Sequence, residues 1–197
     1  MLRTAVIDNS SLIYLSHLHK SKPFFHNLSS LFHTLYFPSE VVDEYAKGAV
    51  LEPHREWIIQ RLNPEQGFYR FCNTYDSIIL NTITGFKGID KGEAETYAQL
   101  KKVNAHLIIS DDKPFIVAIK QLDGNLQVYT TLHIISWLEQ MKFIPEWNNL
   151  IIALHNVRPF KSRELREAYL EVAERLGIFI PKKIVSEKCG LKKILGK

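Results

Sequence analysis

Long hydrophobic runs, paired cysteines and any repeat are missing from this chain of 197 residues, and no leader is expected. No apolar stretch approaches the roughly 20 residues needed to cross a bilayer, so a membrane protein is not expected. The opening MLRTAVID meets an aspartate too early for a secretory leader. Only two cysteines occur, Cys72 and Cys189; they lie far apart and match no metal-ligand spacing, which points to a reducing, cytoplasmic setting. The eight histidines are scattered without ligand spacing, and His17 and His19 share no helix face, so a zinc site is not expected. No low-complexity segment is present.

Charge of one sign is scarce in most of the chain. Residues 181–197 hold six lysines against one glutamate, a net +5, so the remainder of a protein with total charge +4 sums to −1. A near-neutral body therefore ends in a basic tail. Lys182, Lys183, Lys188, Lys192 and Lys193 are candidates for sequence-independent phosphate contacts; a frayed, solvated terminus is the equally weighted alternative.

The periodicities alternate between short strands and helices. Residues 4–7 form an expected buried strand, followed by a helix capped by Ser10 or Ser11 with Leu12, Ile13, Leu15 and Leu18 on one face. Pro23 opens an expected helix through Phe24, Phe25, Leu28, Leu31 and Phe32, and 35–37 a short strand. Pro38-Ser39 starts a helix that stops near Gly48, and Pro53 opens another. In 63–89 the runs 68–71 and 78–83 read as strands or helix pieces. A clearer unit follows: helix 91–103, strand 107–110, helix 114–122, strand 126–129 and a helix over about 132–141. This alternation predicts a parallel sheet with helices on both faces. Beyond Pro145 two more helices are expected, 147–155 and 162–176, the second with a stripe of Leu165, Tyr169, Val172, Ala173 and Leu176.

Four acidic clusters fall where these elements begin or end. They are Asp8, Glu44, Glu93 and the pair Asp111-Asp112. In an open parallel sheet the functional crevice lies beyond the carboxyl ends of the strands, where Asp8 and Asp111-Asp112 are expected. Oxygen clusters of this kind suit hard divalent cations, and such cations serve phosphodiester hydrolysis. Each acid also has a plainer role. Asp8 suits a turn, Glu44 an exposed helix face beside Glu40 and Asp43, Glu93 a helix N-terminus, and Asp111 or Asp112 a helix cap. One of that aspartate pair is expected to cap and the other to face a cation. Ser10 is expected to orient a carboxylate or water, or to cap. Thr130-Thr131 reads as a cap, and Phe24, Phe25, Phe32, Trp57 and Trp137 as core rather than as base-stacking platforms.

These residues resemble the PIN domain family of ribonucleases. Asp8-Asn9-Ser10 with Leu12-Ile13 looks like that family's first aspartate and its hydroxyl-bearing turn. FPSEVVDE, residues 37–44, is similar to a V-P-x-x-V-x-x-E element ending on Glu44. DKGEAETYA, residues 90–98, is similar to D-x-G-E-A-E-x-x-A, with the third acid on Glu93 and Glu95 as its competitor. Ser110-Asp111-Asp112 resembles S/T-x-D, favouring Asp112 with Asp111 beside it. The resemblance spans 4 to about 142, and the helical region to 176 looks like the extension of the DUF3368 branch. Two departures stand out: Thr130-Thr131 replaces the branch's Gly-Thr, keeping the hydroxyl of Thr131 but losing the glycine, and the lysine tail has no counterpart.

The resemblance implies a three-layer α/β/α sandwich with a central, mostly parallel sheet and a C-terminal helical extension. It divides the chain into a nuclease domain over 1–144, a helical extension over 145–180 and the tail over 181–197. It implies an Mg²⁺- or Mn²⁺-dependent endoribonuclease, the toxin of a toxin–antitoxin pair, with RNA as substrate, an antitoxin protein as partner, a homodimer, and no membrane association. Asp8, Glu44, Glu93 and Asp112 would be catalytic, Asp111 a further metal ligand, and Ser10, Thr131 and Glu95 supporting residues. The alternative is a catalytically silent PIN-like module that binds nucleic acid or protein. A haloacid-dehalogenase phosphatase is disfavoured, since the required second aspartate is replaced by Ser10.

Overall fold

Three consecutive fully buried residues, Ala5, Val6 and Ile7, show how the sheet is set. Successive side chains on a strand point to opposite faces, so both faces at the first strand are covered. Leu107, Ile108 and Ile109 repeat the pattern, as expected of parallel strands between helical layers. The computed structural model describes residues 3–19, 24–48, 52–63 and 65–141.

The elements run in the order β1 (Arg3–Ile7), α1 (Asn9–His19), α2 (Phe24–Asn27), a 3₁₀ turn (Leu28–Ser30), β2 (Phe32–Pro38), α3 (Ser39–Lys47), α4 (Glu52–Ile59), β3 (Tyr69–Cys72), α5 (Ser77–Thr84), α6 (Lys91–Lys102), β4 (Leu107–Ile109), α7 (Lys113–Leu122), β5 (Gln127–Tyr129) and α8 (Thr131–Gln140). The five strands form one sheet in the order β3-β2-β1-β4-β5, every pairing parallel. With its flanking helices this is the PIN-like α/β/α architecture. The chain steps outward from β1 to β3, then returns to place β4 on the other side of β1. That reversal is a topological switch point, where neighbouring connections leave on opposite faces and open a crevice at the strand ends.

Two cores flank the sheet. Val6 and Ile108 from one face join Ile83 of α5, Ala94, Tyr97 and Leu100 of α6, and Phe115 and Ile119 of α7. Around β2 and β3 the packing is aromatic: Phe25 lies 5.8 Å from Trp57 and 6.4 Å from Tyr69, and Phe37 lies 5.9 Å from Tyr69. The expectation that Phe25 and Trp57 serve packing agrees with these contacts.

The chain divides into two compact units, Met1–Thr131 and Leu132–Lys197. The expected helices over 147–155 and 162–176 and the lysine tail lie outside the described residues. Among those described, no helix is long and apolar enough to cross a membrane.

Several expected boundaries move. The helix expected through Phe32 ends at Asn27, and β2 already begins at Phe32; a short apolar run is compatible with either state, and pairing with β1 selects the strand. Helix α1 begins at Asn9, which puts Ser10 and Ser11 inside its first turn rather than at its cap. The ambiguous stretch resolves into strand β3 and helix α5, whose start is set by the Asp76 carboxylate accepting from the N–H groups of Ile78 and Ile79.

Candidate active site

Asp8 is the first residue past β1. Its N–H still bonds the carbonyl of Ile109 at 2.9 Å, so the ladder carries its carboxylate to the sheet's carboxyl edge. There Oδ2 accepts from the hydroxyls of Ser10 at 2.6 Å and Ser110 at 2.9 Å. The residue is 4% exposed, and burial, with the Asp112 charge adding a smaller part, raises its pKa despite those donors.

Glu44 arrives from α3. Its Oε2 accepts from Asn9 Nδ2 at 2.8 Å. Its close neighbour on α6 is Gly92: a Cβ there would stand 3.2 Å from Glu44 Oε1 and 3.6 Å from Asp90 Oδ1. Only glycine lets that carboxylate settle against the start of α6 without crowding. Burial raises the pKa of Glu44, followed by the charge of Asp90 and then, more weakly, those of Glu40 and Asp8.

The start of α6 is a capping box. The Asp90 carboxylate accepts from the Glu93 N–H at 2.9 Å, and Glu93 Oε2 accepts from the Asp90 N–H at 2.8 Å. Glu93 is 8% exposed, and its carboxyl is pushed up to about 8, by burial first and then by Asp90, Asp112 and Asp8. Asp112 caps α7, its Oδ1 accepting from the Phe115 N–H at 3.0 Å, while its own N–H donates to Ser110 Oγ at 3.1 Å. With Gly88, Ile89, Asp90, Glu93 and Pro114 it lines a pocket of about 350 Å³.

The structure therefore brings Asp8, Glu44, Glu93 and Asp112 into one electrostatic neighbourhood and adds Asp90. The charges acting most strongly on them are other carboxylates. The other expected members have different tasks. Asp111 points its carboxylate at Ser11 Oγ, 2.5 Å away, and at the N–H and hydroxyl of Thr131. It ties β4 to the turn after β5, and Thr131 acts through it. The division of labour within the aspartate pair is thus not the expected one, because the capping residue, Asp112, is also the one that lines the pocket. Glu95 accepts from Tyr75 OH at 2.6 Å, the Glu40 N–H at 3.0 Å and Ser39 Oγ at 3.2 Å. Helix α3 has Pro38 at its own cap position, with no side-chain cap, and Glu95 supplies the missing acceptor from α6. Two more residues take part: Asp90, which the sequence ranks behind Glu93, and Asn9, which it does not mark as a site member. The D-x-x-E spacing at 90–93 was the available signal for Asp90; nothing local marks Asn9. The five candidate lysines of the tail fall outside the described residues.

An all-oxygen donor set from four separate elements, with mutually repelling carboxylates, has the chemistry a hard divalent cation requires. Among the described residues no three His, Cys, Asp or Glu side chains close on one point as metal ligands would. One oxygen each of Glu93 and Asp112 is engaged in a helix cap instead.

The first unit is a doubly wound α/β/α domain with an acidic crevice at its switch point. The family model DUF3368, described as a PIN domain, matches residues 4–175. The chain belongs to the PIN domain family, whose members are generally nucleases. No curated protein and no solved structure matches it.

Proposed function

We propose that this protein is a metal-dependent endoribonuclease, the toxin half of a toxin–antitoxin pair. The observation that carries this reading is the nearness of Asp8, Glu44, Glu93 and Asp112, four acids from four elements, with the pKa values of Asp8, Glu44 and Glu93 raised by burial and by neighbouring carboxylates. An uncompensated cluster of this kind costs stability, and a bound cation would repay it. Mg²⁺ or Mn²⁺, held by these four, would neutralise phosphate oxygens and lower the pKa of a bound water.

The chain's own groups do the rest. Ser10 and Ser110 hold the Asp8 carboxylate, and Asn9 holds that of Glu44. The Glu93 carboxyl, pushed up to about 8 by burial and by its acidic neighbours, would give up its proton when a cation binds. An RNA substrate, a cognate antitoxin, a homodimer and a cytoplasmic location belong to this reading. The test is Asp8→Asn, which keeps the shape and an acceptor for Ser10: RNA cleavage with Mn²⁺ should disappear while the circular dichroism spectrum and Tm persist. Cleavage at the wild-type rate by the variant, or none by the purified wild type, would sink it.

A second reading, a module that binds without cutting, is favoured by the lack of three converging ligands among the described residues. Calorimetric titration with Mn²⁺ separates the two, since a silent site would show no specific uptake.

A further inference from the structure

The segment that leads into the acidic pocket carries residues of the opposite character. Helix α5 is followed by Gly85-Phe86-Lys87-Gly88, and Phe86 is 42% exposed, the one aromatic among the exposed large apolar side chains of the described residues. The turn is held at both ends: the Phe86 N–H donates to the Ile83 carbonyl at 2.8 Å, and the Ile89 N–H to the Phe86 carbonyl at 3.2 Å. Gly88 closes it with φ +88°, a conformation that favours glycine. The ring is thus presented on a fixed turn whose next residues, Gly88 and Ile89, line the pocket.

Three lysines adjoin the pocket's lining residues in sequence. Lys87 precedes Gly88, Lys91 follows Asp90, and Lys113 lies between Asp112 and Pro114; all three are exposed. Lys91 pairs with Glu40 and still has 68% of its side chain in solvent. An acidic floor cannot attract a polyanion, whereas ammonium groups from separate elements around it can. Aromatic rings beside such groups are how single strands are held, a base stacking on the ring while phosphates meet the cations. A purely apolar protein partner would use Phe86 but gain nothing from the lysines.

We propose that the Phe86–Gly88 turn is the substrate lip of this site: Phe86 stacks a base of single-stranded RNA, and Lys87 and Lys113 contact its phosphates. This rests on the nuclease reading, whose substrate contact it names.

The test uses the full-length protein in EDTA, where nothing is cut, with a fluorescein-labelled single-stranded RNA followed by anisotropy across a NaCl series. Loss of one stacked base weakens binding by about 5- to 150-fold, so Phe86→Ala should fall in that range with its salt slope unchanged, and Phe86→Trp should bind at least as well as wild type. Lys87→Gln and Lys113→Gln should each flatten the slope of log K against log salt by about 0.7. Unchanged affinity in Phe86→Ala, full affinity in Phe86→Leu, unchanged slopes in the lysine variants, or no wild-type binding would each overturn the lip. Phe86-dependent binding without any Mn²⁺-dependent cleavage would instead remove the nuclease reading and leave the lip standing.

Discussion

Replacing Glu93 with glutamine should make the metal-free protein more stable at alkaline pH and remove its metal response. Glu93 is almost fully buried among Asp8, Asp90 and Asp112, and its carboxyl is raised from 4.5 to about 8. Between those two values the folded state holds a proton that the unfolded chain has released. Stability therefore falls as pH rises through this window, and Glu93's share is gone above about pH 8. A shift of that size corresponds to about 5 kcal/mol at about 1.4 kcal/mol per unit. Solvent at the pocket mouth screens it, which leaves on the order of 2–3 kcal/mol. Asp8, Glu44 and Asp111 are also raised and act in the same direction, so the informative quantity is the difference between wild type and Glu93→Gln. Glutamine preserves the capping box, because its carbonyl still accepts from the Asp90 N–H. Urea unfolding in EDTA at pH 5.5, 7 and 8.5, read by tryptophan fluorescence, should show the variant gaining on wild type with each step. Adding Mn²⁺ should then stabilise wild type more at pH 8.5 than at pH 6, since a ligand must lose its proton to bind, and should leave the variant unmoved. A difference that stays constant with pH, or that shrinks as pH rises, would refute the claim that this carboxyl is held protonated by its neighbours.

Two further substitutions test how the site is positioned. Glu95→Ala removes the acceptor that caps α3 and should cost about 1–3 kcal/mol in urea unfolding. It should also weaken Mn²⁺ uptake through Glu44 on the same helix, and Glu95→Gln should recover most of both losses. Gly92→Ala sets two effects against each other: alanine favours the helix by about 1 kcal/mol, yet its methyl stands 3.2 Å from Glu44 Oε1 and displaces that carboxylate. Melting temperature should hold or rise while calorimetric Mn²⁺ affinity drops; a fall in both, or in neither, would count against the close approach.

Much of the scaffold was readable because its causes are local. Ala5–Ile7 and Leu107–Ile109 are apolar runs too short for helices and bounded by polar residues, and both are buried strands. Pro38 and Gly48 bracket α3, and the D-x-x-E spacing at 90–93 starts α6 where expected. The misreadings share a cause too. Phe24, Phe25, Leu28, Leu31 and Phe32 fall at helical spacing, but the last of them enters the sheet beside β1. The apolar run of α5 fits strand or helix alike, and the Asp76 cap makes it a helix. Glu95 was weighed as a competitor for the metal, although its partners, Tyr75 and Ser39, lie 20 and 56 residues away and no spacing rule reaches them.

By itself the sequence determined which acids stand at the tips of which elements, because strand ends and helix caps are set by neighbouring residues. Only the tertiary structure decided what each acid faces. The reversal of strand order at β1 places Ser110 on Asp8, 102 residues distant, sets Glu44 against Gly92, and turns Asp111 to Thr131 while Asp112 joins Glu93. Burial and like-charge repulsion, the forces that raise these pKa values, arise from that assembly. They depend on distance in space, which no local pattern of residues encodes.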